Sequence, residues 1–207
     1  MFLMKFLISS LLTLCLLSCS SNPSPDFSIE KTEDNAPEFI IPSIEVEVDK
    51  LDFNFQNSTW TQDSIPFSGY AVEKYSDNQI FQKIGIFNGK KEGRTQVWHP
   101  NGFLKSEAFY KNGKLNGTYR TWAQDPPDQL IGHLNYKNGK AHGLQKKWYS
   151  SGAIYKILRL NMGKEEGLQQ AFRPNGVLYA NYEARNGRIY GLKKAALCYE
   201  LENEIIQ

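Results

Sequence analysis

Asn88-Gly89-Lys90-Lys91-Glu92-Gly93 is the stretch on which the fold turns. It returns as Asn112-Gly113-Lys114-Leu115-Asn116-Gly117 and as Asn138-Gly139-Lys140-Ala141-His142-Gly143. Two further copies are Met162-Gly163-Lys164-Glu165-Glu166-Gly167 and Asn186-Gly187-Arg188-Ile189-Tyr190-Gly191. The closing glycines are spaced by 24, 26, 24 and 24 residues, and Gly69 lies 24 residues before Gly93 as a degenerate first unit. A second marker stands nine residues beyond the closing glycine: Asn101-Gly102, Ser151-Gly152 and Asn175-Gly176. These slots hold 14 of the 16 glycines, so the pattern is a repeat and not an accident of composition.

The residue types explain the slots. Asn-Gly accepts positive φ at both central positions of a tight turn, where most side chains clash. Two turns per 24 residues imply two strands per repeat, hence a continuous run of hairpins whose expected turn glycines are Gly89, Gly93, Gly113, Gly117, Gly139, Gly143, Gly163, Gly167, Gly187 and Gly191. Counting back from the Asn-Gly-Lys glycine, alternate residues are Ile80, Gln82, Ile84 and Ile86, then Leu104, Ser106, Ala108 and Tyr110. Later units continue with Leu130, Gly132, Leu134 and Tyr136, with Ile154, Lys156, Leu158 and Leu160, and with Leu178, Ala180, Tyr182 and Ala184. The residues between them include Lys105, Glu107, His133, Asn135, Arg159, Asn181 and Glu183. One face is therefore expected to be apolar and the other polar. The fifth residue after the closing glycine is Trp98, Trp122, Trp148 or Phe172, a slot that holds three of the four tryptophans. Large rings there are expected to cover the neighbouring hairpin.

The predicted fold is all-β: an elongated antiparallel meander of stacked hairpins in a single twisted sheet. About six units and about twelve strands fill residues 53–207. Trp60 to Pro66 is expected to start the first unit. Asp125-Pro126-Pro127-Asp128, which makes one interval 26, is expected to be a longer hairpin loop. Residues 197–206 are expected to cap the last unit, where Ala196 stands in the aromatic slot.

The N-terminus reads differently. Lys5 and the apolar stretch from Phe6 to Leu17 form a secretory signal over residues 1–18, too short for a comfortable membrane span. Leu16-Leu17-Ser18-Cys19 resembles the lipobox of bacterial lipoproteins, and the resemblance implies a lipid on Cys19. A plain cleaved signal is the alternative. Several acyl chains give a stable anchor where one does not. Residues 19–52 then read as an extended tether, with four prolines and nine acids against Lys31 and Lys50. Ile44-Glu45-Val46-Glu47-Val48 alternates like a strand, so order can begin there.

The 207 residues carry 24 basic and 22 acidic side chains. Removing Lys5 and the tether's charges leaves 21 basic against 13 acidic residues, or +8, for residues 53–207. An acidic tether beside a basic domain can fold back on it; a solvated surface with excess lysine is the preferred reading. No nucleic-acid partner is expected for an exported protein. Anionic lipid or an acidic partner is compatible with the charge.

Asn-Gly-Lys-x-x-Gly with a following aromatic resembles the MORN repeat variant of the bacterial YwqK-like antitoxin family. Residues 136–143, Tyr-Lys-Asn-Gly-Lys-Ala-His-Gly, come nearest to the MORN signature, and the resemblance runs from about residue 66 to 191. It implies stacked hairpins acting as an interaction surface, without catalytic residues. The antitoxin role belongs to cytoplasmic relatives, a different setting from an exported lipoprotein.

Candidates for chemistry are few. His99, His133 and His142 occupy different repeat slots and offer no metal-ligand spacing. Cys198, within Ala195-Ala196-Leu197-Cys198-Tyr199, reads as a small core residue or as a reactive thiol. Glu165-Glu166 read as solvated, and no nucleophile elbow or phosphate loop is present. A single-layer meander lacks a water-excluding pocket, so no enzyme, cofactor or metal is expected.

The expected function is a non-enzymatic, lipid-anchored scaffold for an unidentified envelope protein, on the cell membrane or outer membrane and facing the periplasm. The alternatives are a module for cell-wall glycan or lipid headgroup, using Trp98, Trp122, Trp148 and Phe172, and an antitoxin-like partner of a toxin.

Overall fold

The computed structural model describes residues 40–192. Apart from one 3-10 turn at Val48–Lys50, their regular structure is all strand. The first four strands are β1 (Glu45–Glu47), β2 (Asp52–Asn54), β3 (Thr59–Gln62) and β4 (Ile65–Pro66). The repeats follow as β5 (Gly69–Lys74), β6 (Ile80–Phe87), β7 (Lys90–Trp98), β8 (Leu104–Lys111), β9 (Lys114–Trp122) and β10 (Leu130–Lys137). Next come β11 (Lys140–Ala141), β12 (Gly143–Trp148), β13 (Ile154–Asn161), β14 (Lys164–Glu165), β15 (Gly167–Phe172), β16 (Leu178–Arg185) and β17 (Arg188–Leu192). From β5 to β17 each hairpin pairs antiparallel with the next in one open sheet, to which β11 and β14 add as short pieces. The predicted meander is the observed one.

The turns behave as their residues require. Asn88 and Gly89 have φ of 48° and 73°, and the pattern repeats through Asn186 and Gly187 at 51° and 73°. Two consecutive positive φ values make a turn whose twist matches that of the flanking strands. The opposite edge uses a shorter device. His99 donates its N–H to the Phe103 carbonyl at 2.9 Å, Gly102 donates to the His99 carbonyl at 2.9 Å, and Gly102 has φ 82°. Tyr149 to Ala153 and Arg173 to Val177 repeat this pattern. In the first unit Asn78, with φ 68°, replaces the glycine. The loop containing Asp125-Pro126-Pro127-Asp128 is the longer one expected, closed by Ala123 N–H donating to the Gln129 carbonyl at 2.9 Å.

The closing glycines differ from the sequence expectation. Gly93, Gly117, Gly143 and Gly167 lie inside or beside strands, at bulges, and not in the turns, while Gly191 pairs in unbroken register within β17. Pairing runs from Ile84 with Thr95 to Ile86 with Lys91, so the longer β7 segment loops past Gly85. Between β8 and β9 the same skip separates Ala108–Tyr119 from Tyr110–Leu115. In the next two units the interruption splits the strand into β11 and β12, and into β14 and β15. A bulge of this kind requires a positive-φ residue, and Gly93 and Gly143 supply 62° and 79°.

The apolar core sits at the first hairpins. Leu51, Phe67, Ala71, Ile84 and Ile86 form its buried cluster, with Val46, Val48 and Trp60 packed against it. Here too the structure departs from the sequence reading. Trp60 to Pro66 does not start the repeat sheet; with β2 it makes a separate three-stranded sheet, β2-β3-β4. That sheet attaches through Trp60 N–H donating to the Gly89 carbonyl at 2.8 Å. The last residues of the segment read as a tether are also placed, because β1 pairs in parallel with β5. The ordered part thus includes the Ile44–Val48 alternation noted in the sequence. Among the described residues the sheet beyond the core is a single layer, and Leu134 and Leu158 on the nominal apolar face are only half-buried.

Candidate functional site

The repeat sheet offers two lateral edges and two faces as candidate surfaces. At one edge the turn glycines tie successive units together. Gly89, Gly113, Gly139 and Gly163 donate their N–H groups to the carbonyls of Phe67, Lys91, Leu115 and Ala141, at 2.7–2.8 Å. The neighbouring asparagines do the same with side chains. Asn112 N–H meets Glu92 Oε2 at 2.7 Å, and Asn138 N–H meets Asn116 Oδ1 at 3.2 Å. The glycines predicted as turn residues are therefore the inter-repeat contacts as well. Gly187 stands in the turn of the last described hairpin, β16–β17, and Gly191 pairs with Tyr182 within it.

The aromatic slot lies toward the other edge. Trp98, Trp122, Trp148 and Phe172 are all half-buried. They pair with Leu104, Leu130, Ile154 and Leu178 just past a register shift. The inter-repeat tie belongs to the residue before the turn. Tyr75 Oη donates to the Trp98 carbonyl at 2.8 Å, and Tyr149 Oη donates to that of Phe172 at 2.9 Å. His99 Nε2 stands 3.3 Å from the Trp122 carbonyl, so the buried imidazole bridges neighbouring units. A small aromatic patch also forms at this edge. Tyr149 and Tyr155 have ring centroids 5.0 Å apart, and Lys156 Nζ lies 4.7 Å over the Tyr155 ring. The Lys156 hydrogen bond pulls the Tyr155 phenol below its usual range, and the Lys156 and Lys147 charges add to this.

Across the sheet the two faces carry different rows. On the core face Ala71, Ile84, Thr95, Ala108, Tyr119 and Leu134 stand opposite one another, strand by strand. On the polar face the row is Val72, Lys83, Gln96, Glu107, Arg120, His133 and Lys146. Glu107 is its hub. It accepts from Gln96 Nε2 at 3.2 Å and from Arg120 Nη1 at 3.4 Å, and it forms an ion pair with Arg94 Nε at 3.4 Å. The alternation led us to expect a solvated face, yet Glu107 and His133 are buried. His133 has a pKa below its ordinary value, first because burial disfavours the charged ring, then because of Arg120 and Lys146.

Two residues on the core face escaped the sequence analysis. Gln145 and Gln169, 24 residues apart, are 3% and 0% exposed. Gln169 Oε1 accepts from Arg159 N–H at 3.2 Å, and Gln169 Nε2 donates to the Arg159 carbonyl at 2.7 Å. Gln145 treats Asn135 alike, at 3.1 and 3.0 Å. Each amide replaces a peptide group at the place where the bulge opens the ladder. The available signal was their common slot, two residues past the closing glycine, in the two units with split strands.

Among the described residues no group of three or more potential metal ligands comes together. His142 donates its backbone N–H to the Asn135 carbonyl at 2.9 Å beside the bulge. Glu165 and Glu166 are exposed, as expected; they accept from Tyr182 Oη at 2.8 Å and Asn161 Nδ2 at 2.7 Å. Cys19, with the signal and most of the tether, and Cys198 with the cap at 197–206 lie outside the described residues. No described helix is long and apolar enough to cross a membrane. No protein-family model matches the chain, and no curated protein matches it either.

Proposed function

We propose that the protein is a non-enzymatic, lipid-anchored scaffold with MORN-like repeats, held to the membrane through Cys19 and offering its repeat sheet to a protein of the cell envelope. The observation that carries this reading is the stack of units, hydrogen-bonded to one another at the Asn-Gly edge and, through Tyr75, His99 and Tyr149, at the opposite edge. Such a stack presents a broad, stiff, repetitive surface, and stacked repeats commonly serve as extended binding faces. The test is cross-linking in intact membranes followed by capture of the chain. One dominant partner is expected; no partner under several growth conditions defeats the proposal. Palmitate labelling, lost in Cys19→Ala, checks the anchor separately.

A second reading, a site for cell-wall glycan or anionic headgroups, draws on the half-buried aromatic row and the Lys156–Tyr155 patch. It predicts tryptophan emission quenched by iodide and protected by added glycan fragments. Rings shielded from iodide defeat it.

A further inference from the structure

Each described unit carries an equivalent cross-strand pair just before its register shift at the aromatic edge. In four units the pair is Glu73–Gln82, Val97–Ser106, Thr121–Gly132 or Ala171–Ala180, and none of these holds a cation. In the remaining unit it is Lys147–Lys156. Two ammonium side chains directly opposite one another on neighbouring strands repel, and such a pair costs stability. Neither lysine has a carboxylate partner among the described residues. The row continues to Gly132 on one side and to Ala171 and Ala180 on the other, so its own neighbours offer the charges no polar group. A local rule broken without a compensating contact is the mark of a functional position.

The bulge beside the pair adds hydroxyls. Tyr155 is the extra residue between the Lys147–Lys156 and Trp148–Ile154 pairs, and Tyr179 is the extra residue at the equivalent shift of the next hairpin. Bulges re-aim side chains, and here they bring both phenols to the lysines. The Tyr155 oxygen accepts hydrogen bonds from Lys156 and from the Tyr179 hydroxyl. Its own O–H has no acceptor among the described residues. The group is thus made of donors: two ammonium ions and a phenol, with Lys147 exposed and Lys156 and Tyr155 half-buried. Its complement is an acceptor with two negative charges, which a phosphomonoester supplies. A lipid surface is met by clusters of about four to eight basic residues, whereas this is one pair between the uncharged pairs Thr121–Gly132 and Ala171–Ala180. The adjoining Tyr149 and Tyr155 rings, with centroids 5.0 Å apart, add apolar surface suited to a sugar.

We propose that Lys147, Lys156 and Tyr155 form a binding site for the phosphate group of a phosphorylated sugar. The bound anion offsets the repulsion between the two lysines, and the tyrosine rings carry the sugar. A cell-wall glycan as the source of that sugar rests on the glycan reading; the anion site itself does not.

The test titrates the full chain, in neutral detergent micelles, with glucose 6-phosphate, with glucose, and with sodium chloride at matched ionic strength. Glucose 6-phosphate alone is expected to shift the Tyr155 ring resonances saturably. It is also expected to slow acylation of Lys147 and Lys156 but not of the exposed Lys105. Lys156→Gln removes one charge-assisted bond and is expected to weaken binding about tenfold or more. Tyr155→Phe keeps the ring and both charges and is expected to weaken it about fivefold, read by lysine protection. A response that chloride or glucose reproduces overturns the proposal, as does equal affinity in both variants. Where a variant fails to fold, lysine protection in the unaltered chain decides. Binding to vesicles containing phosphatidic acid, with no response to glucose 6-phosphate, assigns the pair to a lipid surface and overturns the proposal. Tryptophan protection by unphosphorylated glycan fragments without any Tyr155 response to the phosphate keeps the glycan reading and overturns this site.

Discussion

At the residue scale the repeats differ in how well each side chain suits its slot. Met162 has φ 48° in the turn position that asparagine fills in the other units. Asparagine enters that region readily and methionine does not. Met162→Asn is expected to stabilise the protein by about 0.5–1 kcal/mol, read from the denaturant midpoint. Gln169 is the opposite case. Its amide holds the Arg159 backbone where the ladder opens, so Gln169→Ala leaves buried groups unpaired and is expected to cost about 1–3 kcal/mol. Gln124→Ala, in an exposed loop, is the control and is expected to be near neutral. Tyr182 sets a pH dependence. Burial, and then the hydrogen bond to Glu165, push its phenol up to about 12 from 10. The folded state thus keeps a proton that the unfolded chain releases, so this contribution is complete below pH 10 and is lost as the pH rises to about 12. Tyr182→Phe is expected to flatten the stability profile over that window.

At the scale of elements, stability resides where hairpins meet. The Asn-Gly edge and the Tyr75, His99 and Tyr149 edge each tie one unit to the next, mostly through hydrogen bonds to backbone carbonyls, with Glu92 and Asn116 side chains accepting two more. Tyr149→Phe keeps the ring and removes the donor. It is expected to cost about 0.5–1.5 kcal/mol and to raise hydrogen exchange locally in β15. The turns were legible because Asn-Gly has few other uses. The bulges were not. The second glycine of each motif signals positive φ as plainly as the first, but only the register of the facing strand tells a turn from a bulge.

At the scale of the whole molecule the repeat behaves as a nearly one-dimensional stack. Excising residues 144–167 joins Gly143 to Leu168 and removes one complete beat. A β-sheet circular dichroism spectrum and cooperative unfolding at a lower midpoint are expected. Excising residues 144–155 removes half a beat, reverses strand direction relative to the slots, and is expected to abolish both. The stack is asymmetric. Its first hairpins are covered by Leu51, Trp60 and Phe67, whereas Leu168, Val177 and Ile189 near the other end of the described sheet are exposed.

The sequence by itself determined the all-β class, the 24-residue beat, the hairpin turns and the alternation of faces. These are local properties of glycine, asparagine and two-residue periodicity, and they need no knowledge of distant neighbours. Only the tertiary structure decided that Trp60 to Pro66 forms its own small sheet, that Ile41 to Leu51 wraps the sheet edge, and that Glu107 and His133 are buried on the polar side. Those outcomes depend on which surfaces remain uncovered once the hairpins have paired, and burial is a property of the assembled sheet that no single strand encodes.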